Sequence, residues 1–176
     1  REGFIWLSTR RGLSRFDPLD QSFRNFDRRH GLPGNLFNRN TALLTRRGEL
    51  FFGSSKGFSL FNPAQLVDNN YVPPIVLTDL QIANRSVRVA EADSPLSSSI
   101  HTTGHLRLDH TQSAFSLTYA ALNYRASQDN QYAYRLLGFD SRWHRVGNRR
   151  LATYTNLDPG EYFFEVKGSN NDGVWN

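Results

Sequence analysis

The stretch GFIWLSTRRGLSRFDP, residues 3–18, is matched without gaps by GELFFGSSKGFSLFNP, residues 48–63. The offset between the two copies is 45 residues, and Gly, Gly, Ser, Phe and Pro stand at the same places in both. Each copy begins with a short apolar run, turns at a glycine, Gly12 or Gly57, and continues as an alternating run that a proline closes. The pattern predicts a duplicated β-hairpin.

The length of this repeat indicates a particular architecture. Repeats of about 40–50 residues made of short strands are typical of the four-stranded blades of a β-propeller. Two blades cannot close a ring, which needs at least about four. We therefore expect residues 1–73 to be the last two blades of an incomplete propeller whose earlier blades lie upstream. We also expect the first blade to expose a face that fits a neighbouring blade.

Composition excludes several classes of site. The 176 residues contain no cysteine, which excludes disulfides, thiolate metal sites and a cysteine nucleophile. No apolar run reaches the roughly 18–20 residues that cross a bilayer, and from the Arg1-Glu2 start we expect no signal peptide. Because methionine is absent even at position 1, we expect the chain to begin inside a larger protein.

Positive charge is uneven along the sequence. The chain carries a formal net charge of +5 at pH 7, and residues 1–73 hold the whole surplus, whereas residues 74–176 are balanced. The arginines are scattered between strand-like segments and form neither one helix face nor a dense tail. We therefore expect a solvated basic loop surface and no nucleic-acid partner.

The dipeptide Pro73-Pro74 marks the start of a second domain, residues 74–176, because consecutive prolines form an extended connector and cannot pair inside a sheet. Alternating apolar and polar residues beyond it are typical of half-buried strands. The strand-like segments are 75–82, 87–89, 106–108, 115–119, 132–136 and 162–166, and residues 92–103 are expected to form a loop. We predict an all-β chain that ends in an immunoglobulin- or fibronectin-like antiparallel β-sandwich.

The sequence NLDPGEYFFEV, residues 156–166, is the sharpest local element of this second domain. A Leu-x-Pro-Gly-x-Tyr turn that opens a strand is typical of a tyrosine corner, in which the ring packs down and the hydroxyl bonds to backbone a few residues upstream. We interpret Tyr162 as such a corner, with ligand stacking as the alternative.

Motifs for catalysis or metal binding are weak. Residues 53–57, GSSKG, fit the G-x-S-x-G pattern of a nucleophile elbow, but no helix follows, and the first copy has no serine at the place of Ser55. His101, His105 and His110 lack helical spacing and an evident fourth ligand. We expect no catalytic residue, no metal and no cofactor.

Acidic and aromatic residues have structural interpretations. Asp140, Asp158 and Asp172 fall in turns, where such side chains satisfy nearby backbone groups. Aromatic residues make up 13% of the chain. In an all-β fold most of them are core, and a platform for stacking sugars is the alternative.

Both halves resemble known families. Residues 3–18, 30–38 (HGLPGNLFN) and 48–63 resemble the two-component regulator propeller repeat. Residues 134–143 (YRLLGFDSRW), 149–162 (RRLATYTNLDPGEY) and 170–176 (NNDGVWN) are similar to the three-tyrosine (Y_Y_Y) domain. In this family the Y_Y_Y domain directly follows the propeller, as the two sets of motifs do here.

The resemblance implies the periplasmic part of a membrane-bound bacterial signalling protein. It implies a non-enzymatic sensor and relay module, followed downstream by a transmembrane segment and then a histidine kinase or a cyclic-nucleotide output domain. The propeller would offer the ligand surface, and the sandwich would transmit a change in packing or dimer geometry. We expect a small ligand, for which an oligosaccharide is one candidate. The alternative is a carbohydrate-binding or adhesion module of a surface protein.

The resemblance also suggests which residues to follow. The candidate framework residues are Tyr134, Trp143, Tyr154 and Tyr162, and the candidate exposed contacts are Arg149 and Arg150. Since the family continues with one more strand after the position of Asn176, we expect a sandwich that lacks its final strand. Its open edge, or another face of the sandwich, is the expected homodimer contact.

Overall fold

The computed structural model describes residues 3–67, 69–91 and 93–176. The expectations for Arg1-Glu2 and for Ala92 lie outside the described residues. Within the described ranges the chain has thirteen β-strands, every strand pairing is antiparallel, and the only helices are single 3-10 turns. The prediction of an all-β chain is confirmed. The chain divides into two compact units, unit 1 (Arg1–Val67) and unit 2 (Asp68–Asn176).

Unit 1 contains two three-stranded antiparallel sheets. The first joins β1 (Ile5–Thr9), β2 (Gly12–Asp17) and β3 (Ser22–Phe26), in that order. The second joins β4 (Phe37–Leu44), β5 (Leu50–Ser54) and β6 (Gly57–Phe61). The 3-10 turns of this unit are Arg28–His30 and Pro63–Gln65.

The duplicated hairpins, β1–β2 and β5–β6, have the same turn geometry. Thr9 Oγ1 donates to the carbonyl of Gly12 at 2.8 Å, and Ser54 Oγ donates to the carbonyl of Gly57 at 2.9 Å. Both glycines have a φ of 117°, a conformation that side chains disfavour. The duplication found in the sequence is thus present as two equivalent turns.

The core of unit 1 joins one side of each sheet. Its buried centre consists of Leu13, Phe26, Phe37 and Phe52. Trp6 stacks on Phe26 with ring centroids 5.3 Å apart and meets Phe61 of the second sheet edge-on at 5.0 Å. Aromatic contacts therefore tie the two sheets together.

Apolar side chains also cover the opposite side of each sheet, where they are exposed. Ile5 is the cross-strand partner of Phe16, which is in turn the partner of Phe23, and Phe23 is 60% exposed. In the second sheet Leu43 pairs with Phe51, and Leu43 is 62% exposed. Unit 1 thus carries unburied apolar surface on both of its outer faces.

Unit 2 contains seven strands in two antiparallel sheets. The strands are β7 (Ile75–Ile82), β8 (Arg85–Ser86), β9 (Ala114–Ala121), β10 (Tyr132–Leu137), β11 (His144–Gly147), β12 (Leu151–Thr155) and β13 (Phe163–Gly168). The sheet orders are β12-β9-β7-β8 and β11-β10-β13. The 3-10 turns are Ile100–Thr102, His110–Gln112 and Ser127–Asp129. Side chains from both sheets meet in one core, whose fully buried members include Leu80, Tyr119, Tyr132 and Ala152.

Two predicted strands, 87–89 and 106–108, are wrong. Strand β8 ends at Ser86, and Val87 adds one further bond from its N–H to the carbonyl of Leu80 at 2.8 Å. Leu106 and Leu108 pack against the core without belonging to a strand. Alternation of apolar and polar residues indicates that every second side chain is partly buried. An irregular segment that lies on a core produces the same pattern as a strand.

The connector, residues 69–74, packs with unit 2. Asn170 Nδ2 donates to the carbonyl of Tyr71 at 2.8 Å, and Pro73 is fully buried. The sequence predicts a boundary between residues 73 and 74, whereas the contacts divide the chain after Val67. The difference arises because side chains about 100 positions later in the sequence hold residues 69–71, which no local pattern reveals.

Candidate functional site

Asp140 is the polar centre of the aromatic core in unit 2. It lies in the turn after β10, and only 7% of its side chain is exposed. Its carboxylate accepts hydrogen bonds from the Leu136 N–H at 2.7 Å and the Tyr154 hydroxyl at 2.8 Å. His144 Nε2 lies 2.8 Å from its other oxygen. Asp140 therefore holds together strands β10, β11 and β12.

Opposing effects act on the pKa of Asp140. Burial raises this pKa, whereas the hydrogen bonds from His144, the Leu136 N–H and Tyr154 lower it, and the net shift is downward from 3.8. Burial, together with the hydrogen bond to Asp140, raises the pKa of the Tyr154 hydroxyl. At neutral pH the pair is thus a carboxylate and a neutral phenol.

A cluster of aromatic rings surrounds this pair. Tyr134 lies 6.1 Å from Tyr154 and 6.1 Å from Phe164, between ring centroids. Tyr119 packs on Tyr132 at 5.4 Å, and the hydroxyl of Tyr132 accepts a hydrogen bond from the Ala121 N–H at 3.1 Å. Sequence reasoning selects Tyr134 and Tyr154 but misses Tyr119 and Tyr132, for which apolar alternation in β9 and β10 is the available signal.

Tyr162 has the geometry of a tyrosine corner. Its hydroxyl donates to the carbonyl of Asp158 at 2.9 Å. Its ring lies against Gly138, where an added Cβ would come within 3.1 Å of the ring and where φ is +94°. The close approach and the positive φ together explain why glycine occupies position 138.

Trp143 lies at the mouth of an open cavity of about 500 Å³, together with Arg135 and Glu165. The guanidinium carbon of Arg135 is 4.6 Å from the centre of the Trp143 ring, and Lys167 Nζ is 4.3 Å from it. Arg135 also bonds to Glu165 at 2.5 Å. Because Arg135 and Lys167 both contact the Trp143 ring, little of the ring face is left for stacking on a sugar.

Arg149 and Arg150 lie in the connection between β11 and β12, with exposed side chains. The carbonyl of Arg150 accepts from the Tyr119 N–H at 3.0 Å, which fixes the backbone there to β9. The described residues offer these two guanidinium groups no carboxylate partner. The charge of Arg149 still reaches the cluster around Asp140, since it partly offsets the upward shift in the pKa of Tyr134 that burial and Asp140 cause.

A second polar cluster holds the connector. We name it the asparagine clamp, and its members are Asn69, Asn123, Asn130, Asn170, Asn171 and Asp172. Asn69 Nδ2 donates to Asn123 Oδ1 at 3.2 Å and to Asn171 Oδ1 at 3.0 Å, while the Asn69 N–H donates to Asp172 Oδ2 at 2.6 Å. Sequence reasoning misses the clamp because its members are spread over more than 100 positions.

Asn170 bonds to both sides of the clamp. Its Nδ2 donates to the carbonyls of Asn69 and Tyr71, and its Oδ1 accepts from the N–H groups of Asp172 and Val174. The side chain is fully buried. A buried amide with all these partners rigidifies its surroundings. The clamp thus joins the connector to the last turn of unit 2.

The weak catalytic and metal motifs occupy ordinary positions. Ser55 lies in the β5–β6 turn, where its N–H donates to the carbonyl of Leu36 at 3.3 Å. Across residues 3–67, 69–91 and 93–176, the structure brings together no group of three or more His, Asp or Glu side chains that could hold a metal ion. None of the described helices is long and apolar enough to cross a membrane.

The Asp140 centre, the tyrosine corner and the clamp all involve the C-terminal third of the chain. Residues 123–176 match the Y_Y_Y domain family. We refer to these matching residues below as the Y_Y_Y domain. The Asp140–Tyr154 pair and the Tyr162 corner lie inside the Y_Y_Y domain, and Asn69 approaches it from the connector.

Relatives extend the similarity to the whole chain. Histidine kinase P4 of Formosa agariphila is 37% identical over 172 residues, which cover 98% of this chain and 12% of that protein. The extracellular domain of the hybrid two-component system BT3049 from B. thetaiotaomicron has 28% identity and a TM-score of 0.78, over 100% of this chain and 24% of that one. The corresponding domain of BT4673 has 27% identity and a TM-score of 0.55, over 99% and 23%.

The chain spans less than a quarter of the length of each of these proteins. Within that span, the match to the Y_Y_Y domain family and the structural match over the whole chain point to the same group of proteins. The chain is therefore related to the extracellular sensory regions of two-component signalling receptors.

Proposed function

We propose that this chain is a non-catalytic part of the periplasmic sensor region of a membrane-bound receptor with a histidine kinase output. In this proposal the two sheets of unit 1 are the last two blades of a propeller that binds a small ligand, and unit 2 is an immunoglobulin-like sandwich that transmits the signal. A transmembrane segment downstream would carry the signal to the kinase.

The outer faces of unit 1 support the propeller assignment. Each sheet has three strands, and each carries exposed apolar residues such as Phe23 and Leu43 on the side away from the core. Monomeric proteins rarely leave such apolar faces uncovered. A propeller ring would cover both faces with neighbouring blades and would add a fourth strand to each sheet.

The asparagine clamp is the observation that carries the relay assignment. In this proposal signals from the propeller enter the Y_Y_Y domain through the connector, and the clamp bonds this connector directly to the turn at 170–172. A shift of the connector would therefore reach the C-terminal end of the Y_Y_Y domain without crossing its core. A ligand can bias such a system only if it binds one arrangement more tightly than the other, and a coupling of ~1–3 kcal/mol suffices.

The free edge of β13 is the contact we propose for a homodimer or for a further strand of the chain. Strand β10 pairs with one side of β13. Its other side is met, within the described part of the chain, by the isolated bridge between Ser169 and Trp175 and by the Asn176 N–H, which donates to the Gly168 carbonyl at 3.2 Å. Unpaired N–H and C=O groups on an edge strand are a template for pairing.

Ligand-dependent association tests the proposed function. The whole receptor ectodomain is titrated with neutral and acidic oligosaccharides while its molar mass is followed by light scattering. The proposal expects at least one oligosaccharide to bind and to shift the association equilibrium or the kinase activity of the full receptor. Binding that changes neither quantity would favour the carbohydrate-binding module instead.

A further inference from the structure

The charge of unit 1 is concentrated at one end of its two sheets. The β1–β2 turn, the segment 27–39 and the β5–β6 turn meet at this end, as shown by the bond from the Ser55 N–H to the Leu36 carbonyl and by the pairing of Phe37 with Ser54. At the opposite end lie the turns around residues 18–21, 45–49 and 62–65. We call the first end the hairpin end.

The hairpin end is strongly cationic. Its described residues include six Lys or Arg side chains and one carboxylate, that of Asp27. Arg29 already bonds to Asp27, with Nε 2.8 Å from Oδ2. The other five cations form what we call the basic rim: Arg10, Arg11, Arg28, Arg39 and Lys56. By contrast, the opposite end has Arg46 and Arg47 beside three carboxylates, those of Asp17, Asp20 and Glu49.

Within the described part of the chain, the positive charges of the basic rim are not neutralised by nearby carboxylates. All five side chains are exposed, and the described residues place no carboxylate within ion-pairing distance of them. Like charges gathered in this way repel one another and create a positive potential at the surface. An anionic ligand would relieve that repulsion, and guanidinium groups suit carboxylate and sulfate because they can donate two parallel hydrogen bonds.

A cavity of about 390 Å³ opens at this end between β1 and the start of β4. Its lining combines Arg10 and Arg39 with the polar side chains of Ser8, Thr9 and Asn38. Hydroxyl and amide groups are the partners that sugar hydroxyls require, and the two guanidinium groups add recognition of negative charge. Charge and polar lining therefore coincide at one place.

We propose that the basic rim binds an acidic oligosaccharide, that is, a sugar chain carrying carboxylate or sulfate groups. This inference rests on the proposed function and names the chemical class of the ligand. A single-stranded nucleic acid is the competing polyanion, but such ligands are held by exposed aromatic rings on which bases stack. Phe37, the aromatic residue that lines the cavity, is buried, and Phe58, which is exposed beside the β5–β6 turn, is already stacked on Phe51.

Calorimetric titration of the whole receptor ectodomain tests the rim. The probes are tetragalacturonate, the neutral maltotetraose and a short oligodeoxythymidylate. We expect tetragalacturonate to bind most tightly and its affinity to fall as sodium chloride rises from about 50 to about 300 mM, since exposed charges are screened. Equal affinity for maltotetraose, or tighter binding of the oligodeoxythymidylate, would overturn the inference.

Paired variants locate the site. Arg10→Ala with Arg39→Ala should weaken tetragalacturonate binding roughly tenfold, because each lost guanidinium removes a charge-assisted contact. Arg46→Ala with Arg47→Ala removes the same charge from the opposite end and should change the affinity by less than about twofold. Equal losses in the two double variants would mean that only overall charge matters and would refute the rim as a site.

Kinase activity of the full receptor separates this inference from the proposed function. If neutral oligosaccharides alone stimulate the kinase, the rim inference fails and the sensory proposal stands. If tetragalacturonate binds through the rim but no oligosaccharide alters the kinase, the sensory proposal fails and the anion site stands.

Discussion

At the scale of single residues, two buried tyrosines differ in what their hydroxyls find. The Tyr154 hydroxyl donates to the carboxylate of Asp140, whereas the Tyr119 hydroxyl is buried and, in the part of the chain that the structure describes, meets no hydrogen-bond partner. Burial accordingly raises the pKa of Tyr119. Removing the hydrogen-bonded hydroxyl should lower the free energy of unfolding, whereas removing the hydroxyl without a partner should not.

We predict that Tyr154→Phe lowers the free energy of unfolding by about 1.5–3 kcal/mol, because it breaks a hydrogen bond to a charged group. Tyr119→Phe removes the same atom without breaking a bond and should be neutral or stabilising by up to about 1 kcal/mol. Urea unfolding of both variants, followed by tryptophan fluorescence, measures the difference. A larger loss in Tyr119→Phe would contradict the assigned contacts.

The lowered pKa of Asp27 predicts that the stability of the folded protein depends on pH. The Arg29 side chain is the main cause that lowers its pKa to about 2, helped by the Arg29 N–H and by His30. A carboxylate with a lowered pKa stabilises the folded state above its unfolded pKa, 3.8, and loses that contribution as pH falls towards 2. Wild-type stability should therefore fall over this window, and Asp27→Asn should reduce the slope. Urea midpoints between pH 5 and pH 2 test this; parallel curves would refute it.

Sequence reasoning identifies residues whose partners are local. The turn sequence at 156–162 gives the Tyr162 corner, since donor and acceptor are four positions apart. Asp140 is interpreted as a turn residue that satisfies nearby backbone, and it does accept from the Leu136 N–H. Its bond to Tyr154 lies 14 positions away and depends on how β10 and β12 pack, which the local pattern does not encode.

At the scale of elements, the repeat supplies a matched pair of turns. Gly12 and Gly57 have the same φ, yet a Cβ on Gly12 would stand 1.9 Å from the carbonyl oxygen of Phe26, whereas a Cβ on Gly57 would meet nothing within 4 Å. The first turn is packed under β3, while the second is open.

We therefore predict that Gly57→Ala costs about 1–3 kcal/mol from backbone strain alone. Gly12→Ala should cost clearly more because the backbone of Phe26 must also move. Thermal unfolding followed by the fluorescence of Trp6, the tryptophan of unit 1, compares the two variants. Equal losses would show that the packing of the first turn has been misassigned.

Strands were predictable where alternation coincided with pairing. Alternation predicts strands at residues 75–82, 115–119 and 132–136, and these residues lie in β7, β9 and β10. Strand β12 was missed, although its alternate residues Ala152 and Tyr154 are buried. Residues 151–155 form a strand because they pair with β9, which lies more than 30 positions earlier in the sequence.

At the scale of the whole molecule, two features are decisive: the distribution of positive charge and the bonding of the connector. The sequence already assigns the excess positive charge to the first 73 residues, but only the strand order shows that it gathers at the hairpin end of unit 1. The connector looks like an independent linker because of Pro73-Pro74. Its bonds to Asn170 and Asp172 make it part of unit 2 instead.

The proposed relay through the connector is tested most directly by a substitution in the clamp. Asn69→Ala removes the side-chain bonds to Asn123, Asn171 and the Tyr71 N–H but keeps the backbone bond to Asp172. Asn148→Ala is the matched control, because it deletes an amide on the exposed surface that donates to the Gln128 carbonyl at 3.3 Å. Melting temperatures of both variants, measured first, establish that each is folded.

The most direct measurement is the ratio of stimulated to basal autophosphorylation of the full-length receptor in vesicles, with an activating oligosaccharide at saturation. We predict that Asn69→Ala lowers this ratio at least ~threefold, a coupling loss of about 0.6 kcal/mol or more, while ligand binding is still detected and Asn148→Ala retains the wild-type ratio. A folded Asn69→Ala receptor that binds ligand and responds as fully as the wild type would contradict it.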